Sequence, residues 1–303
     1  MSTPPGRMIE RDGCAIHVWS SGEQHEGTTV VVEAGMGCCS LDWSIARPLI
    51  AEFANVVTYD RPGYGFSAAS DAPRDAATIV DELRALLTSL GHRPPYLAVG
   101  HSFGGWVMRL FARTYADEVA GLVLLDPGHE DWWSPEHFPE VWPSDWDRAV
   151  KSMGTARNLA RVGILGLFAR LGLVPGLARE VMKRLPADVR KVFRDKVFGV
   201  STFDTWLQEA AFLEQTRQQV RAAPALRADL PLRVLIRGQP LPTPRGLAAG
   251  AYEQPHRVLM RALAAQSSRG AARVVEGAEH NIQVWNPSEV AIAVREVSQS
   301  LEA

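Results

Sequence analysis

The chain has 303 residues, of which 46% are hydrophobic and 22% charged, with a net charge of −2. That length suits one large domain or two small ones, and the near-neutral balance gives no electrostatic reason to expect a nucleic-acid partner. Three cysteines (Cys14, Cys38 and Cys39) are too few and too awkwardly spaced for a disulfide framework or a zinc site, so they read as reduced thiols of a cytoplasmic protein.

Residues 1–13 are polar and charged and lack the apolar core of a secretory signal. Continuous apolar runs at 28–33 (TTVVVE) and 55–59 (NVVTY) then read as strands buried on both faces of a largely parallel sheet. Between 76 and 90, Ile79, Leu83, Leu86, Leu87 and Leu90 recur at helical spacing, and Gly91 closes the helix. A third strand is expected at 96–99, a helix from Ser102 to about Tyr115, and a fourth strand at 121–125 (GLVLL).

The strand–helix alternation then stops. Residues 129–226 show helical periodicity but no convincing strand, and such a stretch is too long for a loop. They carry Trp132, Trp133, Phe138, Trp142, Trp146, Phe168 and Trp206, which read as the underside of a lid or as its own small core. We expect an inserted helical cap there, with residues 1–128 and 227–303 forming the core. The apolar stretch 162–177 is interrupted by Arg170, Pro175 and glycines, too broken to insert stably in a membrane. For residues 162–185, with Arg161, Arg170, Arg179, Lys183 and Arg184 around apolar residues, a membrane-surface role is an alternative use. Strands return at 232–236 and, more weakly, at 272–275. The last helix starts with Asn286 as N-cap and Pro287 in its first turn, and buries Val290, Val294, Val297 and Leu301. The fold class expected is α/β, with helices on both faces of a mostly parallel sheet.

Within this frame Gly100-His101-Ser102-Phe103-Gly104 carries the clearest chemistry. It follows an apolar strand and opens a helix, the setting in which a sharp turn lifts a serine hydroxyl to the carboxyl edge of a sheet. A serine needs a base, and His280, between the last strand and the terminal helix, sits at the same edge. His101 should point elsewhere, and His17, His25, His92, His129, His137 and His256 read as surface or cap residues.

The chain resembles the α/β-hydrolase family over nearly its whole length. The matching pieces are Glu33-Ala34-Gly35-Met36-Gly37, Tyr59-Asp60-Arg61-Pro62-Gly63-Tyr64-Gly65, the run from Gly100 to Gly105, the strand ending at Asp126, and Gly277-Ala278-Glu279-His280. The resemblance implies that the backbone N–H groups of Met36 and Phe103 form an oxyanion hole. The family more often has His-Gly where this chain has Ala34-Gly35, a departure that removes no N–H donor. It also implies an acid after the penultimate strand, but here Arg237-Gly238-Gln239-Pro240 follows, and Glu253 is too far along. A subset of the family places the acid one strand earlier, where Asp126 stands. Asp126 is thus expected to orient His280, the alternative being a strand-end cap. Asp60 is expected to hold the Arg61 loop and take no part in a triad.

The function expected is a serine hydrolase, without metal or organic cofactor, that cleaves an ester, thioester, lactone or amide of a small apolar substrate through an acyl-enzyme. Three alternatives stay open. They are an aminopeptidase resembling proline iminopeptidases, for which Glu130 or Asp131 would anchor an amine, a cofactor-free perhydrolase, and a non-catalytic small-ligand binder.

Overall fold

A computed structural model describes residues 5–11, 13–132, 144–174, 176–241, 250–251 and 253–302. Its eight strands are β1 (Arg7–Arg11), β2 (Cys14–Ser21), β3 (Val30–Glu33), β4 (Val56–Tyr59), β5 (Tyr96–His101), β6 (Val119–Leu125), β7 (Leu232–Arg237) and β8 (Gly270–Val275). They form one sheet in the order β1-β2-β4-β3-β5-β6-β7-β8, with β3 to β8 parallel and β1 and β2 antiparallel at one edge.

Alternate residues of the central strands feed two separate cores. Val31, Val57, Ala98, Leu122, Leu124 and Val234 pack against α2 (Ala76–Ser89), α3 (Phe103–Thr114) and α10 (Glu253–Ala264). Val30, Val32, Val56, Leu97, Val99, Val123 and Leu125 pack against α1 (Ala46–Ala51) and α12 (Pro287–Glu302). This two-sided burial is what a continuous apolar run requires of a strand, and the α/β class expected from sequence is the class observed.

Two features were not read from the sequence. The hairpin β1–β2 carries charge at Arg7, Glu10 and Arg11, and β1 is half exposed, so no apolar run marks it. The Asp12-Gly13 dipeptide between them is the turn signal that would have found it. The short α1 was also missed. Between β6 and β7 lie α4 (Ser144–Arg161), α5 (Ile164–Arg170), α6 (Gly176–Arg184), α7 (Ala187–Val197), α8 (Val200–Ala211) and α9 (Leu213–Ala222), with no strand among the described residues.

The parallel strands all end at one edge, and that edge positions the site. β5 ends at His101 and α3 begins at Phe103, so a single residue makes the turn. Close packing permits it: a Cβ on Gly100 would lie 2.5 Å from the Gly104 carbonyl oxygen, and one on Gly104 would lie 2.3 Å from that of Glu33.

Candidate active site

Ser102 makes that turn with φ +53° and ψ −118°. Asp126, the residue after β6, has φ +40°. Among the described residues they are the only non-glycine positions with positive φ. Such backbone persists only where the surroundings over-determine it, and it clusters at functional sites.

The two meet through His280. Its Nε2 lies 2.9 Å from Ser102 Oγ, and its Nδ1 lies 2.6 Å from Asp126 Oδ2. The carboxylate can only accept, so the imidazole proton sits on Nδ1 and the Nε2 lone pair faces the serine hydroxyl. The short α11 (Ile282–Trp285) follows His280, and its Ile282 N–H donates to the His280 carbonyl at 3.0 Å. His101 Nε2–H donates to the His280 carbonyl at 3.0 Å, while Gln283 Nε2 donates to His101 Nδ1 at 3.5 Å. Burial pushes His101 down to about 3, aided by His280, so it acts as a neutral strut for the His280 loop. Its side chain does turn away from the serine, as expected.

Asp126 is fully buried, and its partners exceed those read from sequence. Arg237 Nη1 donates to both carboxylate oxygens, at 2.9 and 3.1 Å, and His256 Nε2 lies 3.4 Å from Oδ1. Burial alone would raise this carboxyl; the hydrogen bond and charge of His280, then Arg237 and His256, overcome it and hold it far below the usual carboxylate range. Burial pushes His256 down to about 4. Glu253, the fallback acid, is committed to Arg237 Nη2 at 3.0 Å and to the Leu241 N–H at 3.2 Å.

Met36 and Phe103 line the same cavity as Ser102. Phe103 opens α3, so its N–H has no acceptor within the helix. The loop before Met36 is gripped by buried Arg61, which donates to the Ala34 carbonyl at 2.6 Å and the Gly35 carbonyl at 2.9 Å. C=O and N–H of a trans peptide point in opposite directions. The Gly35–Met36 unit, with its oxygen toward Arg61, therefore turns the Met36 N–H the other way. Arg61 is held by Glu33 at 2.5 Å and by Glu209 of α8 at 2.8 Å.

The cavity measures about 240 Å³. Met36, Ser102, Phe103 and Trp106 line it from the sheet side, and Trp132, Trp146, Ala149, Leu213 and Arg217 from the segment between β6 and β7. Arg217 directs donors to the backbone carbonyls of Glu130 and Trp132 at 3.1 and 2.6 Å, leaving the lining largely apolar. Trp206 supports Trp146 at 5.6 Å between ring centroids, whereas Phe168 is exposed. Trp133, Phe138, Trp142 and His137 lie outside the described residues.

Compared with known proteins, the sequence matches the alpha/beta hydrolase family over residues 30–293. The chain belongs to that family. A Bacillus subtilis (strain 168) protein, "Uncharacterized protein YqjL", is 39% identical over 157 residues, covering 50% of this chain. The match spans 59% of YqjL's own length, and a second B. subtilis relative, YbdG, is spanned over 38%. Among solved structures, Cfl2 from Burkholderia cenocepacia superposes with a TM-score of 0.69 at 20% identity, over 96% of this chain and 95% of that one. A thermophilic esterase from Thermogutta terrifontis gives 0.64 at 20% identity, over 98% and 99%. Both likenesses show the fold.

Within this alpha/beta hydrolase several residues lie elsewhere than sequence placed them. His17 and His256 are buried, not on the surface, because each faces a strand-end aspartate: His17 Nδ1 meets Asp60 at 2.8 Å, as His256 meets Asp126. Asp60 also accepts from the Ser40 and Phe66 N–H groups at 2.7 and 2.9 Å and makes no contact with the Ser102 relay. Arg237 and His256 were missed. Their one sequence signal was the need of a buried carboxylate for partners, with Arg237 two residues beyond the pair Leu125–Leu235.

Proposed function

We propose that the protein is a serine hydrolase that cleaves an ester, or a related acyl bond, of a small, largely apolar substrate through an acyl-enzyme. One observation carries this reading: the continuous hydrogen-bonded relay from Ser102 through His280 to Asp126, open on an apolar cavity.

In this mechanism Ser102 Oγ attacks the substrate carbonyl as its proton passes to His280 Nε2. Asp126 keeps the other ring proton on Nδ1 and stabilises the imidazolium. Negative charge develops on the carbonyl oxygen, where the Met36 and Phe103 N–H groups receive it, each donor being worth on the order of 3 kcal/mol. Arg61 serves as a positioning residue that aims the first of these donors. His280 then protonates the leaving alcohol, and water, deprotonated by the same nitrogen, releases the acid and restores Ser102.

The helices between β6 and β7 act as a cap over the acyl site. Support comes from Trp146 of α4 and Leu213 of α9 in the cavity wall, and from Glu209 of α8 on Arg61. The aminopeptidase alternative finds less support. Glu130 is engaged by Arg109 through two bonds at 2.7 and 2.9 Å, and Asp131 pairs with Arg221 at 2.9 Å, so neither is poised for a substrate amine.

A chain-length series of p-nitrophenyl esters run beside aminoacyl-anilides tests the substrate class. We expect the esters to turn over and longer apolar acyl groups to raise kcat/KM until the cavity is filled. Faster turnover of the anilides would contradict it.

A further inference from the structure

The outer surface of the segment between β6 and β7 carries two features that the cavity does not use. The first is apolar. α5 turns Leu165 and Ala169 inward, yet Ile164, Leu167 and Phe168 on its other side are exposed. The exposed set extends to Val162 at 68%, Leu171 at 62% and Leu173 at 65%. A surface helix ordinarily turns polar residues to water, so six large apolar side chains exposed within residues 162–173 call for a partner.

The second is charge. From the start of α4 to the end of α7, residues 144–197 hold twelve Lys and Arg against five Asp and Glu. That is +7 in a chain of net −2, which leaves −9 on all other residues. Arg161 and Arg170 flank the apolar run in sequence, Arg179, Lys183 and Arg184 lie on α6, whose buried side shares a core with that of α5, and all five are exposed. Glu180 lies within 3.8 Å of Arg179, Lys183 and Arg184, and Asp204 lies 3.6 Å from Arg157 and Arg161, so two carboxylates face five cations.

We propose that this face docks the protein on an anionic lipid surface. The apolar side chains enter the boundary between headgroups and acyl chains, and the surrounding guanidinium and ammonium groups meet lipid phosphates and carboxylates. Burial and electrostatic attraction then act at one place, each matched by one part of the partner. A symmetric dimer through the patch would bring two copies of this cationic segment together, and a nucleic acid would leave the apolar centre uncovered. Among the described residues no helix is long and apolar enough to cross a membrane, so the docking is peripheral.

The patch is separate from the cavity mouth. α4 begins at the cavity wall with Trp146 and Ala149 and ends beside the patch at Arg161. Twelve residues at 1.5 Å rise separate Ala149 from Arg161 by about 18 Å. Docking therefore does not depend on the chemistry proposed for Ser102, and it is measured by binding alone.

The test is cosedimentation of full-length Ser102→Ala protein with vesicles of phosphatidylcholine, alone or with about 30% phosphatidylserine. We expect binding to the mixed vesicles, about tenfold or more weaker binding to phosphatidylcholine alone, and loss of affinity as salt rises. Adding Leu167→Asp and Leu171→Asp should weaken binding by about tenfold or more, with the thermal midpoint held near that of Ser102→Ala as the control for folding. Failure to bind phosphatidylserine vesicles would overturn the proposal, as would equal binding by a folded double-aspartate variant. Self-association seen by light scattering, lost in that variant and without vesicle binding, would assign the patch to a second copy of the chain instead.

Discussion

Ser102 at φ +53° and Asp126 at φ +40° each hold a backbone state that costs on the order of 1–3 kcal/mol. A strand-end cap has no need of that strain, whereas a carboxylate that must reach His280 has. The Asp126→Asn variant removes the charge and favours the wrong imidazole tautomer, so kcat should fall by about 100-fold or more with KM little changed. A near-normal rate would return the role to another acid. Arg61 is the second residue whose effect can be separated. A lysine keeps the charge between Glu33 and Glu209 but cannot fork onto both carbonyls before Met36. Arg61→Lys protein that folds should lose about 100-fold in kcat while KM stays within a few-fold, the pattern of a lost transition-state contact. A folded variant with wild-type kcat would remove the positioning role.

The elements show where sequence sufficed and where it did not. β3 to β7 were legible because two-sided burial leaves unbroken apolar runs, and the turn at Ser102 because glycines flank it. The hairpin at the edge was hidden because an edge strand alternates with charged residues. Ser102, Asp126 and His280 were each placed by the element that ends beside them, and the structure brings all three within hydrogen-bond reach. Arg237 and His256 escaped because their meaning depends on the β6–β7 register and on how α10 packs, neither of which a local pattern records. His256 has a measurable consequence. Burial lowers it from 6.5 to about 4, so between these values the unfolded chain takes a proton that the folded chain refuses. Stability from this group is thus full above pH about 6.5 and drains away as pH falls toward 4. Buried Asp42, raised to about 7, pulls the opposite way over much of the same window, so the comparison must be by difference. Between about pH 7.5 and 5, wild type should lose about 2 kcal/mol more of its unfolding free energy than His256→Gln. Parallel pH–stability curves would contradict the burial of a neutral imidazole there.

At the scale of the whole molecule, the net charge of −2 conceals an uneven distribution. It is the sum of a +7 segment bearing an apolar face and a −9 remainder, an asymmetry that only charge counted by element reveals. The same segment presents Trp146 and Ala149 to the cavity at one end and exposed leucines on its outer surface. It is this arrangement that would join the proposed acyl site to the proposed lipid-facing surface. The proposed chemistry rests on a single oxygen, Ser102 Oγ. Incubating the folded protein with a fluorophosphonate probe and mapping the adduct by mass spectrometry tests it most directly. One covalent label is expected, on Ser102, absent from a folded Ser102→Ala variant. Undiminished labelling of that variant, or no labelling of the folded wild type, would contradict it.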